Sequence, residues 1–149
     1  MDRKQELLEV ERAHWREFRD LVDRIPSDRM EEPTLNADGW SVKDLLWHVR
    51  CRNVVVADEL ERIEAGTFEV FDWKTDENNE RFLAEGRRMD PVSVQAELVV
   101  SREHAVREMA ALMVVPPKAE ELFSETAFKH IDDHLPELQR FAERVTGAA

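Results

Sequence analysis

An all-α fold, and within it a four-helix bundle, is what this chain predicts, on three observations. The 149 residues include only four glycines and no tyrosine. Glu, Arg, Leu and Ala are abundant instead, a composition that favours helices over turn-rich sheets. Four long stretches repeat apolar residues at helical spacing, and proline, glycine and capping residues punctuate their ends. The length suits one hydrophobic core, so a single domain over 1–149 is expected.

The first helix is expected from about Asp2 to Ile25, ending at Pro26-Ser27. Its apolar face reads Leu7, Val10, His14, Phe18 or Glu17, Leu21 and Ile25. A linker follows from Pro26 to Trp40. The second helix has the clearest start: Ser41 as N-cap, Asp44 three residues on as in a capping box, and Trp40 and Leu45 at hydrophobic-staple spacing. It should run to about Glu64 and stop at Gly66. Phe68, Val70, Phe71 and Trp73 make the stretch from Thr67 to Lys74 a packed connection rather than a strand. A short helix is expected from Thr75 to Arg88.

Asp90-Pro91 reads as an N-cap with proline at the first helical position. The helix it opens carries Val94, Leu98, Ser101 or Arg102, Ala105, Met109 and Leu112 on one face and must end before Pro116-Pro117. The last helix is expected to start near Ser124, with Glu125 against the dipole. Its inner face reads Ala127, Ile131, His134, Leu138, Phe141 and Val145, with His130 beside it, and it ends at Gly147. Pro136 lies inside this helix and cannot donate to the Asp132 carbonyl.

The formal net charge is −12, which argues against nucleic acid and against anionic membrane surfaces as partners. No apolar run approaches the ~18 residues of a membrane span. The single cysteine, Cys51, rules out an intrachain disulfide framework and fits a reducing cytoplasm. The charged opening residues do not read as a signal peptide.

Chemistry concentrates in histidine. His130 and His134 are four apart on one helix, so they share a face about one turn apart, a workable spacing for two ligands of one metal ion. His48 lies within the second helix, and a ligand from a facing helix would complete a triad with open positions. The same spacing also suits core-edge imidazoles hydrogen-bonded to backbone or solvent. A buried imidazole needs a partner for each nitrogen, which a metal on one side and an acceptor on the other would provide. Arg52 follows His48 by one turn and is suited to an anionic substrate or cofactor. His14 is a candidate cavity-lining group, Asp132 and Asp133 are candidate acceptors behind the histidines, and His104 is expected at the surface. Trp47 is expected to point away from the inner stripe.

The segment Gly39-Trp40-Ser41-Val42-Lys43-Asp44-Leu45-Leu46-Trp47-His48-Val49 resembles the second-helix motif of the DinB-like superfamily, shared by its mycothiol-dependent maleylpyruvate isomerase branch. The segment Thr126-Ala127-Phe128-Lys129-His130-Ile131-Asp132-Asp133-His134-Leu135-Pro136 resembles that superfamily's C-terminal His-x-x-x-His helix. Asp76-Glu77-Asn78-Asn79 resembles the Asn-bearing start of the helix leading into the third. The resemblance implies an up-down-down-up bundle with a long connection between helices two and three, and often a homodimer. It implies a divalent metal, Zn or Ni, on His48, His130 and His134. The isomerase branch often has Glu where His130 stands, so the three-His set is closer to the general DinB-like pattern.

The implied function is a metal-dependent enzyme of the thiol-dependent transferase or isomerase type, or a hydrolase, acting on a small molecule. A low-molecular-weight thiol such as mycothiol or bacillithiol is the implied cofactor, with Arg52 as its binding residue. The alternative is a non-catalytic small-molecule-binding or self-protection protein of the DfsB-like kind, with a vestigial metal site.

Overall fold

A computed structural model describes residues 1–147. Helix α1 spans Arg3–Asp23, α2 Val42–Ala65, α3 Asp76–Arg87, α4 Pro91–Ala111, α5 Pro117–Ser124 and α6 His130–Thr146. A short 3-10 turn, Ser27–Arg29, interrupts the first linker, and among the described residues there is no strand. No described helix is long and apolar enough to cross a membrane.

The capping chemistry sets most boundaries. Asp2 accepts from the Gln5 amide at 2.8 Å and opens α1. Ser41 and Asp44 close a reciprocal box, with Ser41 Oγ accepting from Asp44 N at 3.1 Å and Asp44 Oδ2 accepting from Ser41 N at 2.9 Å. Thr75 caps α3, and Asp90 with Pro91 opens α4. Gly66 ends α2 at φ 72°, a left-handed position that glycine adopts without strain.

The last helix departs from expectation. It begins at Pro117, seven residues before Ser124, because proline at a first helical position loses no hydrogen bond. A π-helical turn over Glu125–Lys129 then joins α5 directly to α6. Glu125 therefore lies inside the helical run and not at its start. On α1 the expected Val10 is 39% exposed, while Glu11 is buried in its place. Arg102 explains the exchange: its guanidinium pairs with the Glu11 carboxylate.

Side-chain contacts give the helix directions. Arg50 pairs with Glu97 and Asn53 with Ser101, so α2 and α4 run parallel. Arg3 meets Glu120 and His14 meets Asp132, so α1 runs parallel to the last helix. Lys4 Nζ donates to the carbonyls of Ala110 and Leu112 at the far end of α4, so α1 and α4 are antiparallel. The order is up-down-down-up. Two parallel neighbours cannot be joined by a tight turn, which is why the long stretch carrying α3 separates α2 from α4.

Two apolar clusters fill the bundle. One gathers Phe18, Leu45, Leu98, Leu138 and Phe141, and the other Leu7, Leu60, Met109 and Phe123. Buried Glu11, Asn53, Ser101 and Thr126 fall between them along the sequence of every long helix. The π turn occurs at this polar level.

Candidate metal centre

His48 comes from the second turn of α2, and His130 and His134 from the first two turns of α6. Their Nε2 atoms converge. His48 Nε2 lies 2.8 Å from His130 Nε2, and His134 Nε2 lies 3.1 Å from the same atom. One ring nitrogen from each of the three falls within 4.8 Å of the others. A tetrahedral ion bound at about 2.0–2.1 Å holds its nitrogen ligands about 3.3 Å apart. Two of the three separations, 2.8 and 3.1 Å, come within about half an ångström of that spacing, so the residues fit a divalent metal.

Their protonation fits as well. Burial pushes the His48 imidazole down to about 4, aided by His134 and Arg52. Burial pushes His130 down to about 2, with Arg52, His48 and His134 contributing. Both are therefore neutral at pH 7 and present lone pairs. His134 Nδ1 lies 2.8 Å from Glu137 Oε1, a contact in which the ring N–H donates to the carboxylate and turns Nε2 inward. His130 Nδ1 is buried with no partner.

The burial order of the pair is the reverse of that expected. His130 is buried, and His134 keeps 19% of its side chain exposed. The π turn just before His130 adds a residue to the helical phase and rotates the stripe by a fraction of a turn. Asp132 does not support the triad: its Oδ1 lies 2.7 Å from His14 Nδ1. His14 is accordingly outside the centre, packed against Phe128. Asp133 is exposed. His104 pairs with Glu61 across 2.7 Å, 38% exposed.

Two residues that spacing alone did not single out belong here. Glu137 is the acceptor behind His134, one turn along the same helix. Trp40 covers the centre, its ring 5.1 Å from the His48 ring and 6.5 Å from the His134 ring. The centre borders a cavity of about 220 Å³ lined by Trp40, Trp47, His48, Asn79, Phe82 and Leu83. This places Asn79 at the mouth of the site. Trp47 is 5% exposed, and Gly86 of α3 packs directly on its ring.

Arg52 lines a second cavity, of about 300 Å³, shared with Trp73 and Lys74. Its guanidinium lies over the Trp73 ring at 5.1 Å. Cys51 is buried, and burial raises its thiol pKa, so it is not an activated nucleophile.

A protein-family model described as mycothiol maleylpyruvate isomerase N-terminal domain matches residues 12–121. That span includes His48 and Arg52 and ends before His130. No curated protein and no solved structure matches the chain.

Proposed function

The chain belongs to the mycothiol maleylpyruvate isomerase N-terminal domain family, in the DinB-like superfamily, and on that premise we propose that it is a divalent-metal-dependent enzyme acting on a small molecule. The reaction is a thiol-dependent transfer or isomerisation, or a hydrolysis. The observation that carries this reading is the convergence of three imidazoles beside a cavity. The ligands are His48, His130 and His134, and the ion is Zn or Ni.

When bound, such an ion supplies Lewis acidity at an open position, lowering the pKa of a water or thiol there. The chain supplies the rest. Glu137 fixes the His134 tautomer. Trp40 and Phe82 keep one side of the site apolar, which excludes water and strengthens every charge inside. Asn79 offers the cavity an amide donor and acceptor. Arg52 is the anchor for an anionic group of the cofactor or substrate.

The test is metal-dependent turnover with mycothiol or bacillithiol and an electrophilic acceptor. Activity that a chelator abolishes, that metal restores and that His48→Ala lacks supports the reading. The buried, unpartnered Nδ1 of His130 favours a second reading, in which the centre is vestigial and the protein sequesters a small molecule. Binding of acceptor by chelated protein, with no turnover in either state, would favour that reading.

A further inference from the structure

Arg52 is uncommon among the cations of this chain. Among the described residues it is the one partly buried cation with neither an ion pair nor a side-chain hydrogen bond, and its Nε is fully enclosed without a partner. Every other partly or fully buried Lys or Arg meets a carboxylate or a carbonyl: Lys4 donates to two carbonyls, and Arg50 and Arg102 each hold a glutamate. In a chain with 33 acidic residues, a guanidinium with neither an ion pair nor a hydrogen bond has its desolvation cost only partly offset.

Its surroundings are specific. Lys74 Nζ lies 5.8 Å from the centroid of the same Trp73 ring that Arg52 covers at 5.1 Å. Lys74 also lacks an ion pair, so two free cations share one indole in the wall of the 300 Å³ cavity. Among the described residues no acid in that wall forms an ion pair with either cation, and Glu125 and Glu59 act on Arg52 only from beyond contact distance. Glu125 is held by Lys129 at 3.0 Å and Glu121 by Lys118 at 3.4 Å. Burial raises the pKa of Glu59. Asp72 is exposed and turned to the Lys74 amide, 3.1 Å away.

We propose that this cavity is a carboxylate subsite, in which a small organic acid places its carboxylate between Arg52 and Lys74 while its other end reaches the histidine centre. The inference deepens the metal-dependent reading by naming the class of ligand. A planar guanidinium fork matches a carboxylate in two-point contact. The four acids in the same wall disfavour a group that concentrates up to two charges at one end, as phosphate does, over a carboxylate that carries one. Arg52 follows His48 by four residues, a rise of about 6 Å along α2, so the carboxylate and the reacting atom are separated by about four bonds. The Trp73–Lys74 side of the subsite belongs to the connection after α2, which carries half the recognition onto a segment outside the bundle.

The test is titration of the purified protein with succinate, succinamide and inorganic phosphate at fixed ionic strength, read by tryptophan fluorescence and calorimetry. Succinate is expected to bind saturably and succinamide not at all. Arg52→Gln is expected to weaken succinate about tenfold or more, and Lys74→Gln by about threefold, as charged hydrogen bonds of unequal burial imply. Lys74 is exposed, so its variant keeps the test open even if Arg52→Gln folds poorly. Equal binding of succinate and succinamide, phosphate outcompeting succinate, or both variants binding like the parent overturns the subsite.

Metal-loaded protein then separates two sources of the carboxylate. If 3-mercaptopropionate binds much more tightly than propionate, the acid belongs to the thiol cofactor. If the two bind alike through Arg52, it belongs to the substrate. The titration repeated on chelated protein and on His48→Ala keeps the two readings apart. Arg52-dependent succinate binding in a protein that never holds metal defeats the metal reading alone, and metal binding without succinate binding defeats the subsite alone.

Discussion

Three imidazole nitrogens facing one another pose a proton problem that hydrogen bonds solve poorly. His134 Nδ1–H donates to Glu137, which in the neutral tautomer leaves Nε2 as a lone pair. His130 Nε2 lies between that atom and His48 Nε2, at 3.1 and 2.8 Å. A single N–H on His130 cannot point along both contacts. A cation at the centre of the three resolves the conflict. Glu137→Gln should then lower metal affinity by about 10–100-fold without unfolding the chain, as measured by competition with a chromogenic chelator. Acidification has a definite sign in the metal-free protein. The unfolded chain protonates His48 and His130 near pH 6.5, whereas the folded sites resist until about 4 and about 2. Unfolding takes up protons in that interval, so stability falls as pH drops below about 6.5, and urea midpoints across pH 4–7 check it. The convergence of the three histidines was legible because both motifs are local: a cap-to-histidine segment and an i,i+4 pair. Glu137 was less so, because Asp132 and Asp133 stand equally near in sequence, and only the fold sends Asp132 to His14.

At the scale of elements, the π turn and α3 decide how the site is presented. The turn over Glu125–Lys129 rephases the last helix immediately before His130, so the buried stripes of α5 and α6 both face the core. Periodicity reading assumes one constant phase, so it truncated this helix to begin near Ser124 and misplaced the burial of the pair. The boundaries of α2, α3 and α4 were legible because caps are short-range chemistry. Helix α3 closes the His48 cavity by laying Gly86 against Trp47. A Cβ on Gly86 would stand 2.4 Å from the Trp47 ring. Gly86→Ala should therefore cost about 1–3 kcal/mol through overpacking, outweighing any gain in helix propensity. Denaturant unfolding measures the loss, and faster amide exchange across α3 would localise it.

For the whole molecule, the parallel pairing of α2 with α4 is what places α3 beside the triad. The connection that this pairing requires supplies both cavity walls: Asn79 and Phe82 on one side, Trp73 and Lys74 on the other. Composition foretold helices, and the resemblance foretold their order, but neither reveals what the crossover covers, since that depends on contacts far apart in sequence. The net charge of −12 acts at this scale too. It should leave duplex DNA unbound at physiological salt, and saturable anisotropy with a labelled duplex would contradict that. The most direct measurement is the metal content of purified protein after equilibration with Zn or Ni and removal of free ion. About one divalent ion per chain in the parent, absent in His48→Ala and in His130→Ala, is the expected result. No bound ion in the parent, or the same content in both variants, would contradict a metal centre on these three histidines.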